Sequence, residues 1–200
     1  MKALSVAVLA VAALSLALPA QAGCGGCSSM RSTAAAAAAP PIPGVGQLAP
    51  DFELPSTAGH SISLAQYLGK RVVVLYFYPK DETPGCTKEA CDFRDHSAQL
   101  EQAGVVILGV SNDDLTSHAD FRQKEHIPFP LLSDTDARVS KMYGVYGARS
   151  ANGRSWTGIS RTTFVIDKDG RIVQVWPNVN VDGHVDEVLT FVSKNRPDGT

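Results

Sequence analysis

The sequence has no excess of positive charge. Its 200 residues hold 18 Lys and Arg against 20 Asp and Glu, which gives a formal net charge of −2. Proteins that bind nucleic acid through its phosphates, or membranes through a polybasic surface, carry a basic excess, so both classes are disfavoured. With 44% apolar residues, 17 Gly and 12 Pro, the chain also lacks the composition of a coiled coil, a collagen or a fully disordered protein.

The histidines lack the spacing of metal ligands. They are scattered along the chain, and no two of them form a pair typical of a zinc site. We therefore predict neither a metal site nor a bound cofactor. We interpret all five as solvated or loop residues: His60, His96, His118, His126 and His184.

The first 46 residues lack acidic side chains. After Lys2, an apolar run over residues 3–20 is interrupted by only two serines, and Ala20–Ala22 supplies the small residues of a cleavage site. This pattern predicts a signal peptide over residues 1–22, and hence export to the periplasm or another extracytoplasmic compartment. Two alternatives stay open, retention of the run as a membrane anchor and lipidation of Cys24. Either would tether the protein to a membrane.

Residues 23–46 are rich in Ala and Pro and contain few large apolar side chains. Such a segment cannot offset the entropy of ordering, so we predict a flexible linker. The linker contains a C-x-x-C motif, Cys24 to Cys27. A catalytic C-x-x-C follows a strand and opens a helix, whereas this one follows the predicted signal peptide. We interpret it as a structural or accessory pair, with a functional redox pair as the alternative.

Residues 47–200 have the pattern of one folded α/β domain. Continuous apolar runs at Arg71–Tyr78 and Val105–Val110 predict strands buried on both faces, and helices are predicted at Pro84–Gln102 and Leu115–Glu125. Alternating strands and helices imply a central mixed β-sheet flanked by helices. A Gly- and Ser-rich loop containing Trp156 is predicted before the last strands. The remaining elements predicted are strands at Asp51–Leu54, Leu131–Leu132, Thr162–Asp167 and Arg171–Trp176, and helices after Ser61 and at Asp136–Tyr143 and Val185–Ser193.

A cysteine lies at the junction between the first buried strand and the first long helix. Thr83 is the predicted N-cap of that helix, and Cys86 falls in its first turn, where backbone N–H groups have no helical acceptor. Such groups favour a thiolate, so the pKa of Cys86 is expected to fall below its ordinary value of about 8.5. They can also stabilise an anionic oxygen. From the residues alone, Cys86 is either a reactive nucleophile or a buried structural thiol.

The motifs around Cys86 resemble those of the peroxiredoxins. Pro79, Thr83 and Cys86 match the signature P-x-x-x-T-x-x-C, and the string Tyr76–Thr87 is similar to the active site of the bacterioferritin comigratory protein, or peroxiredoxin Q, subfamily. The similarity extends over residues 46–195 and implies a thioredoxin-like fold and a thiol-dependent peroxidase. Other motifs of the subfamily are similar to Ala49–Leu54, Phe129–Asp134 and Arg161–Asp167 in this sequence.

The resemblance also implies a role for each matching residue. Cys86 would be the peroxidatic cysteine, shielded by Pro79, with Thr83 orienting the peroxide. Arg161 would hold the thiolate and the leaving oxygen, and its permanent charge and several donors suit that task. Cys91 would be the resolving cysteine.

The same resemblance implies the substrates and the partner. Hydrogen peroxide and alkyl hydroperoxides are the expected substrates, a thioredoxin-like protein is the expected reductant, and a monomer is expected. Two other functions stay open. One is an exported thiol–disulfide oxidoreductase that uses Cys24 and Cys27, and the other is a redox-sensing or holdase module.

Helix geometry constrains any disulfide between Cys86 and Cys91. Five residues of α-helix rise about 7.5 Å and place the two Cα atoms roughly 8–9 Å apart. A disulfide joins Cα atoms about 4.4–6.8 Å apart. We therefore predict that the first one or two turns of this helix unwind on oxidation.

Overall fold

The computed structural model describes residues 41–151 and 154–195. The predicted signal peptide, Cys24, Cys27 and most of the predicted linker lie outside the described residues. Within this range the strands are β1 (Glu53–Pro55), β2 (Ser61–Ser63), β3 (Val72–Phe77), β4 (Val105–Ser111), β5 (Leu131–Ser133), β6 (Tyr146–Ala151), β7 (Arg154–Ile159), β8 (Thr162–Ile166) and β9 (Ile172–Pro177). The helices are α1 (Pro84–Gln102), α2 (Leu115–Lys124), α3 (Arg138–Met142) and α4 (His184–Asn195), and a 3-10 turn spans Leu64–Gln66.

Five strands form the central sheet in the order β5-β4-β3-β8-β9. β3, β4 and β5 run parallel, whereas β8 is antiparallel to both β3 and β9. The sheet is therefore mixed, which confirms the α/β prediction. β3 lies at its centre and is buried along its whole length, as its uninterrupted run of apolar residues predicts.

Alternate side chains of β3 enter two separate hydrophobic clusters, because successive residues of a strand point to opposite faces. One cluster packs under α1 and α4, and the other packs under α3 and the β1–β2 hairpin. Cys86 belongs to the first cluster. From β3, the first cluster takes Val72, Val74 and Tyr76, and the second takes Val73, Leu75 and Phe77.

The predicted loop around Trp156 is wrong, because the chain there forms the antiparallel β6–β7 hairpin. Trp156 is 49% exposed. Small and polar residues in both strands leave no alternation of apolar side chains, so the pattern typical of a strand is missing. Backbone pairing between the two strands is what defines this hairpin.

Some residues that precede residue 47 also contact the folded domain. Gly46 N–H donates to the carbonyl of Ile172 at 2.7 Å, and Ile172 N–H donates to the carbonyl of Gln47 at 2.9 Å. Ile42 packs against the second cluster. Ordered contacts therefore begin within the segment assigned to the linker, because its last residues run beside the edge strand β9 and occupy hydrogen-bonding groups that an edge leaves open.

Among residues 41–151 and 154–195, no helix combines the length and the apolar character needed to cross a bilayer. The predicted membrane tether concerns residues outside this range.

Candidate active site

Cys86 is the third residue of α1, and its side chain is only 1% exposed. The bounds of α1 agree with the prediction. Pro84 begins the helix, where proline is tolerated because a backbone N–H in the first turn has no helical acceptor. Thr83 occupies the N-cap position, but its hydroxyl does not cap the helix. Instead it donates to the carbonyl of Lys80 at 3.0 Å, so the predicted side-chain cap is wrong.

Arg161 contacts Cys86 because β3 and β8 are neighbouring strands. It directly precedes β8, and the pairing of Phe77 with Thr162 brings the start of β8 beside the end of β3. Arg161 Nη2 donates to Cys86 Sγ at 3.1 Å. Gly85 permits this approach, because a Cβ atom at that position would lie 3.3 Å from Nη2. The structure thus places a permanent cation on the thiol at a helix N-terminus.

Glu89 is the second partner of Arg161, and sequence reasoning missed it. Its side chain is fully buried and its Oε2 accepts a hydrogen bond from Arg161 Nη1. Burial raises the pKa of Glu89 to about 7, although Arg161 opposes the rise. Glu89 follows Cys86 by three residues, so both lie on one face of α1. That spacing was the available signal, since a carboxylate on the buried face of a helix needs a cation.

Arg161 therefore lies between two acidic groups. Burial by itself lowers the pKa of Arg161, but the charges of Glu89 and Cys86 and the hydrogen bonds to both outweigh it and raise the pKa. The guanidinium stays charged and oriented by two partners on adjacent turns of α1. This arrangement can hold a thiolate and present further N–H groups to an oxygen next to it.

A buried network holds the loop between β3 and α1. The carboxylate of Asp81 accepts hydrogen bonds from Tyr78 Oη at 2.7 Å and Ser117 Oγ at 2.7 Å, and it lies 2.8 Å from His118 Nδ1. Burial raises the pKa of Asp81, but the hydrogen bonds from His118, Tyr78 and Ser117 outweigh it and lower the pKa. The carboxylate is thus the acceptor for all three groups.

His118 contradicts the prediction of a solvated histidine, because it is fully buried on α2. Its Nε2 lies 3.1 Å from the carbonyl oxygen of Leu132. Its Nδ1 faces the Asp81 carboxylate, so the imidazole bridges the loop before α1 and the strand β5. Sequence spacing offers no signal for this pair, since 37 residues separate its members.

His184 also contradicts that prediction. It is 3% exposed, and its Nε2 lies 2.8 Å from Thr163 Oγ1. The rings of Phe93 and Trp176 pack edge-on against it. Burial lowers the pKa of His184 to about 4, so this histidine is neutral at pH 7.

Cys91 lies farther along α1 and is partly exposed. Its Sγ donates to Glu125 Oε2 at 3.6 Å. Burial, the hydrogen bond to Glu125 and the negative charge of Glu125 raise the pKa of Cys91, against an opposing contribution from Arg94. Cys86 and Cys91 are both free thiols within an unbroken helix, as the geometry of a five-residue separation requires.

The predicted site residues are thus only partly brought together. Arg161 contacts Cys86 directly, and Thr83 lies immediately before the helix that carries the thiol. Pro79 is exposed at the start of the loop, one residue after the buried Tyr78. A nucleophilic thiol, a fixed cation and a helix N-terminus on a mixed sheet are the features of thiol-based redox enzymes.

Comparison with known proteins identifies the class. Residues 45–175 match the AhpC/TSA family. A Bcp-type peroxiredoxin sequence of Coxiella burnetii is 55% identical over 145 residues, covering 72% of this chain and 95% of the relative. Peroxiredoxin Bcp of Bacillus subtilis is 45% identical over 145 residues, covering 72% of this chain and 92% of the relative.

Solved structures agree in fold. A cysteine-to-serine mutant of peroxiredoxin Q from Xylella fastidiosa superposes with a TM-score of 0.71 at 35% identity, covering 76% of this chain and 96% of that one. The bacterioferritin comigratory protein of Xanthomonas campestris, described for its alkyl peroxide reduction activity, superposes with a TM-score of 0.68 at 36% identity, covering 72% and 92%. The fold is thioredoxin-like, and the function is that of a thiol-dependent peroxidase. The chain belongs to the AhpC/TSA family, within its Bcp and peroxiredoxin Q peroxiredoxins.

Proposed function

We propose that Cys86 is the peroxidatic cysteine of this peroxidase and that Cys91 resolves it. The observation that carries the proposal is the 3.1 Å hydrogen bond from Arg161 Nη2 to Cys86 Sγ in the first turn of α1. A thiolate is the reactive form of cysteine, and a guanidinium together with free backbone N–H groups favours it. The same donors can stabilise the negative charge that develops on an oxygen of the peroxide during attack.

In the first step, the Cys86 thiolate attacks one oxygen of the peroxide. The S–O bond forms while the O–O bond breaks, and the leaving oxygen takes a proton and departs as water or an alcohol. Cys86 becomes a sulfenic acid, so sulfur is oxidised by two electrons and the peroxide is reduced by two. In this step, Arg161 stabilises the charge of the transition state, Thr83 orients the peroxide, and Pro79 limits the access of water.

In the second step, the Cys91 thiolate attacks the sulfenic sulfur. The S–S bond forms, the S–O bond breaks, and the departing hydroxide takes a proton to become water. Because both residues lie in one helix, this step requires the first one or two turns of α1 to unwind. A thioredoxin-like dithiol then reduces the disulfide and is itself oxidised.

We propose hydrogen peroxide and alkyl hydroperoxides as substrates. The Xanthomonas campestris relative, described for alkyl peroxide reduction, supports the second class. We further propose that the chain is exported, on the basis of the apolar run and small-residue site in residues 1–22. Mass analysis of the mature protein would test export, and a chain that retains Met1 in the cytoplasmic fraction would contradict it.

The test is a single-turnover reaction of the reduced full-length chain with hydrogen peroxide. Cys24 and Cys27 are replaced by Ser, so that all thiols counted belong to α1. We expect rapid loss of two thiols and a Cys86–Cys91 disulfide by mass. Cys86→Ser is expected to remove the rapid reaction, and Cys91→Ser to stop at the sulfenic acid. Slow oxidation that does not depend on Cys86 would reject the assignment.

A further inference from the structure

The resolving thiol has an anionic partner on another helix. Cys91 Sγ donates to Glu125 Oε2 at 3.6 Å, across 34 residues of sequence. Glu125 is the C-cap of α2, and its side chain reaches across to α1. A sulfur that donates to a carboxylate keeps its proton, so this contact stabilises the thiol and disfavours the thiolate.

The contact is held from the side of α1 as well. Arg94 Nη1 donates to the backbone carbonyl of Glu125 at 2.8 Å, and Arg94 Nε donates to Asp95. The charged groups that act on Cys91 are therefore Arg94 and Asp95 from α1 and Glu125 from α2. Two of the three are anions, and only Glu125 is hydrogen-bonded to the sulfur. Burial and the anions together raise the pKa of Cys91.

We propose that Glu125 is a positioning residue that keeps Cys91 protonated and docked on α2 while α1 is folded, so that Cys91 becomes a nucleophile only after α1 has unwound. The inference rests on the proposed role of Cys91 as the resolving cysteine. It adds an order of events to that role, because the thiol is restrained until the helix opens. Separation from Glu125 then removes the anion that holds the proton on sulfur.

The contact with Glu125 protects the resolving thiol from oxidation by the substrate. A thiolate is oxidised by peroxide far faster than a thiol, and an oxidised Cys91 cannot attack the sulfenic sulfur of Cys86. In the folded helix Cys91 cannot reach Cys86, so early activation of Cys91 would serve no purpose there. Glu125 thus confines reaction with peroxide to one of two cysteines that are five residues apart.

The test measures Cys91 alone. In full-length protein with Cys24, Cys27 and Cys86 replaced by Ser, the rate of alkylation by iodoacetamide is followed from pH 6 to pH 10. Glu125→Gln retains an oxygen acceptor of the same size but removes the charge. We expect its pH profile to shift to lower pH and the rate at pH 7.5 to rise about two- to threefold, since alkylation follows the thiolate.

Glu101→Gln is the matched control, because Glu101 is exposed near the end of the same helix. Its pH profile is expected to coincide with that of the parent. A Glu125→Gln profile that coincides with this control, or that shifts to higher pH, would overturn the proposal. The outcome is independent of peroxide chemistry at Cys86, which is measured separately as the rate of sulfenic acid formation in Cys91→Ser.

Discussion

The two cysteines of α1 have opposite electrostatic surroundings. Cys86 is buried and accepts a hydrogen bond from the Arg161 guanidinium, whereas Cys91 is partly exposed and donates to the Glu125 carboxylate. A cation stabilises a thiolate and an anion stabilises a thiol. Two residues of the same type on one helix are thereby prepared for different steps of one reaction.

The difference arises from the rotation of the helix. Five residues turn an α-helix by about 500°, which leaves the two side chains roughly 140° apart around the axis. On one side Cys86 meets the Arg161 guanidinium, and on the other Cys91 meets Glu125 at the end of α2. The chemistry of each thiol is thus set by the element that packs against its side of α1. Four substitutions on the Cys86 side test this dependence.

The largest effect is expected from removal of the cation on the Cys86 side. Arg161→Met is expected to lower the second-order rate of Cys86 oxidation about 10²- to 10³-fold, because a preorganised donor to a developing charge is lost. Arg161→Lys keeps the charge but loses the two-pronged geometry, and an intermediate rate is expected. Stopped-flow measurement of sulfenic acid formation checks both. Alkylation of Cys91 in the Cys86→Ser background is expected to be unchanged, and a parallel loss there would indicate general unfolding.

The next effect concerns the loop that leads into α1. Asp81→Asn replaces a buried carboxylate that accepts from Tyr78, Ser117 and His118, so we expect the free energy of unfolding to fall by about 3 kcal/mol. We also expect slower oxidation of Cys86, since the loop and the helix N-terminus lose their anchor. Chemical denaturation and stopped-flow kinetics provide the two readouts. Unchanged stability would mean that the pair does not hold the loop.

A smaller effect is expected from a substitution at Gly85, which should slow oxidation of Cys86 without lowering the stability of the protein. A Cβ atom there would lie 3.3 Å from Arg161 Nη2 and would displace the guanidinium by a few tenths of an ångström. Gly85→Ala is expected to reduce Cys86 oxidation about threefold, since small misplacements of a positioning group are costly. Alanine favours helix over glycine, so stability is expected to be equal or higher. Unchanged kinetics would show that the close approach is not needed.

The last effect is a pH dependence of stability that comes from Glu89, the carboxylate bonded to Arg161. The raised pKa of Glu89, about 7 against 4.5 for the free side chain, means that the folded protein holds a proton that the unfolded chain releases. The free energy of unfolding therefore falls as pH rises from about 4.5 to about 7. The difference in unfolding free energy between wild type and Glu89→Gln is expected to change over this window. A difference that does not vary with pH would contradict the assignment.

Subtracting the wild-type and Glu89→Gln curves also removes the contribution of His184, which changes the free energy of unfolding with pH in the opposite direction. The pKa of His184 is lowered by burial to about 4, so its stabilising contribution is complete above about 6.5 and is lost as pH falls toward 4. Because His184 is present in both proteins, its effect cancels when the two curves are subtracted.

Much of the Cys86 side could be predicted from residues close together in sequence. The apolar run of β3, Pro84 and the cysteine in the first turn define a strand, a loop and a helix N-terminus by local rules. Arg161 was found only through the family resemblance, because its contact with Cys86 depends on the pairing of β3 with β8. Neither Glu125 beside Cys91 nor the buried Asp81–His118 pair has a signal in sequence spacing.

Local sequence patterns are enough to predict an α/β domain with a cysteine at the start of a long helix, because periodicity and helix-initiating residues act over a few neighbours. Which charge lies beside each thiol depends instead on how distant segments pack against α1. Those charges come from Arg161, just before β8, and from Glu125, at the end of α2, both of which reach α1 only through sheet pairing and core packing over long separations in sequence. Local chemistry positioned the two sulfurs on the helix, and the packing of distant elements made their environments opposite.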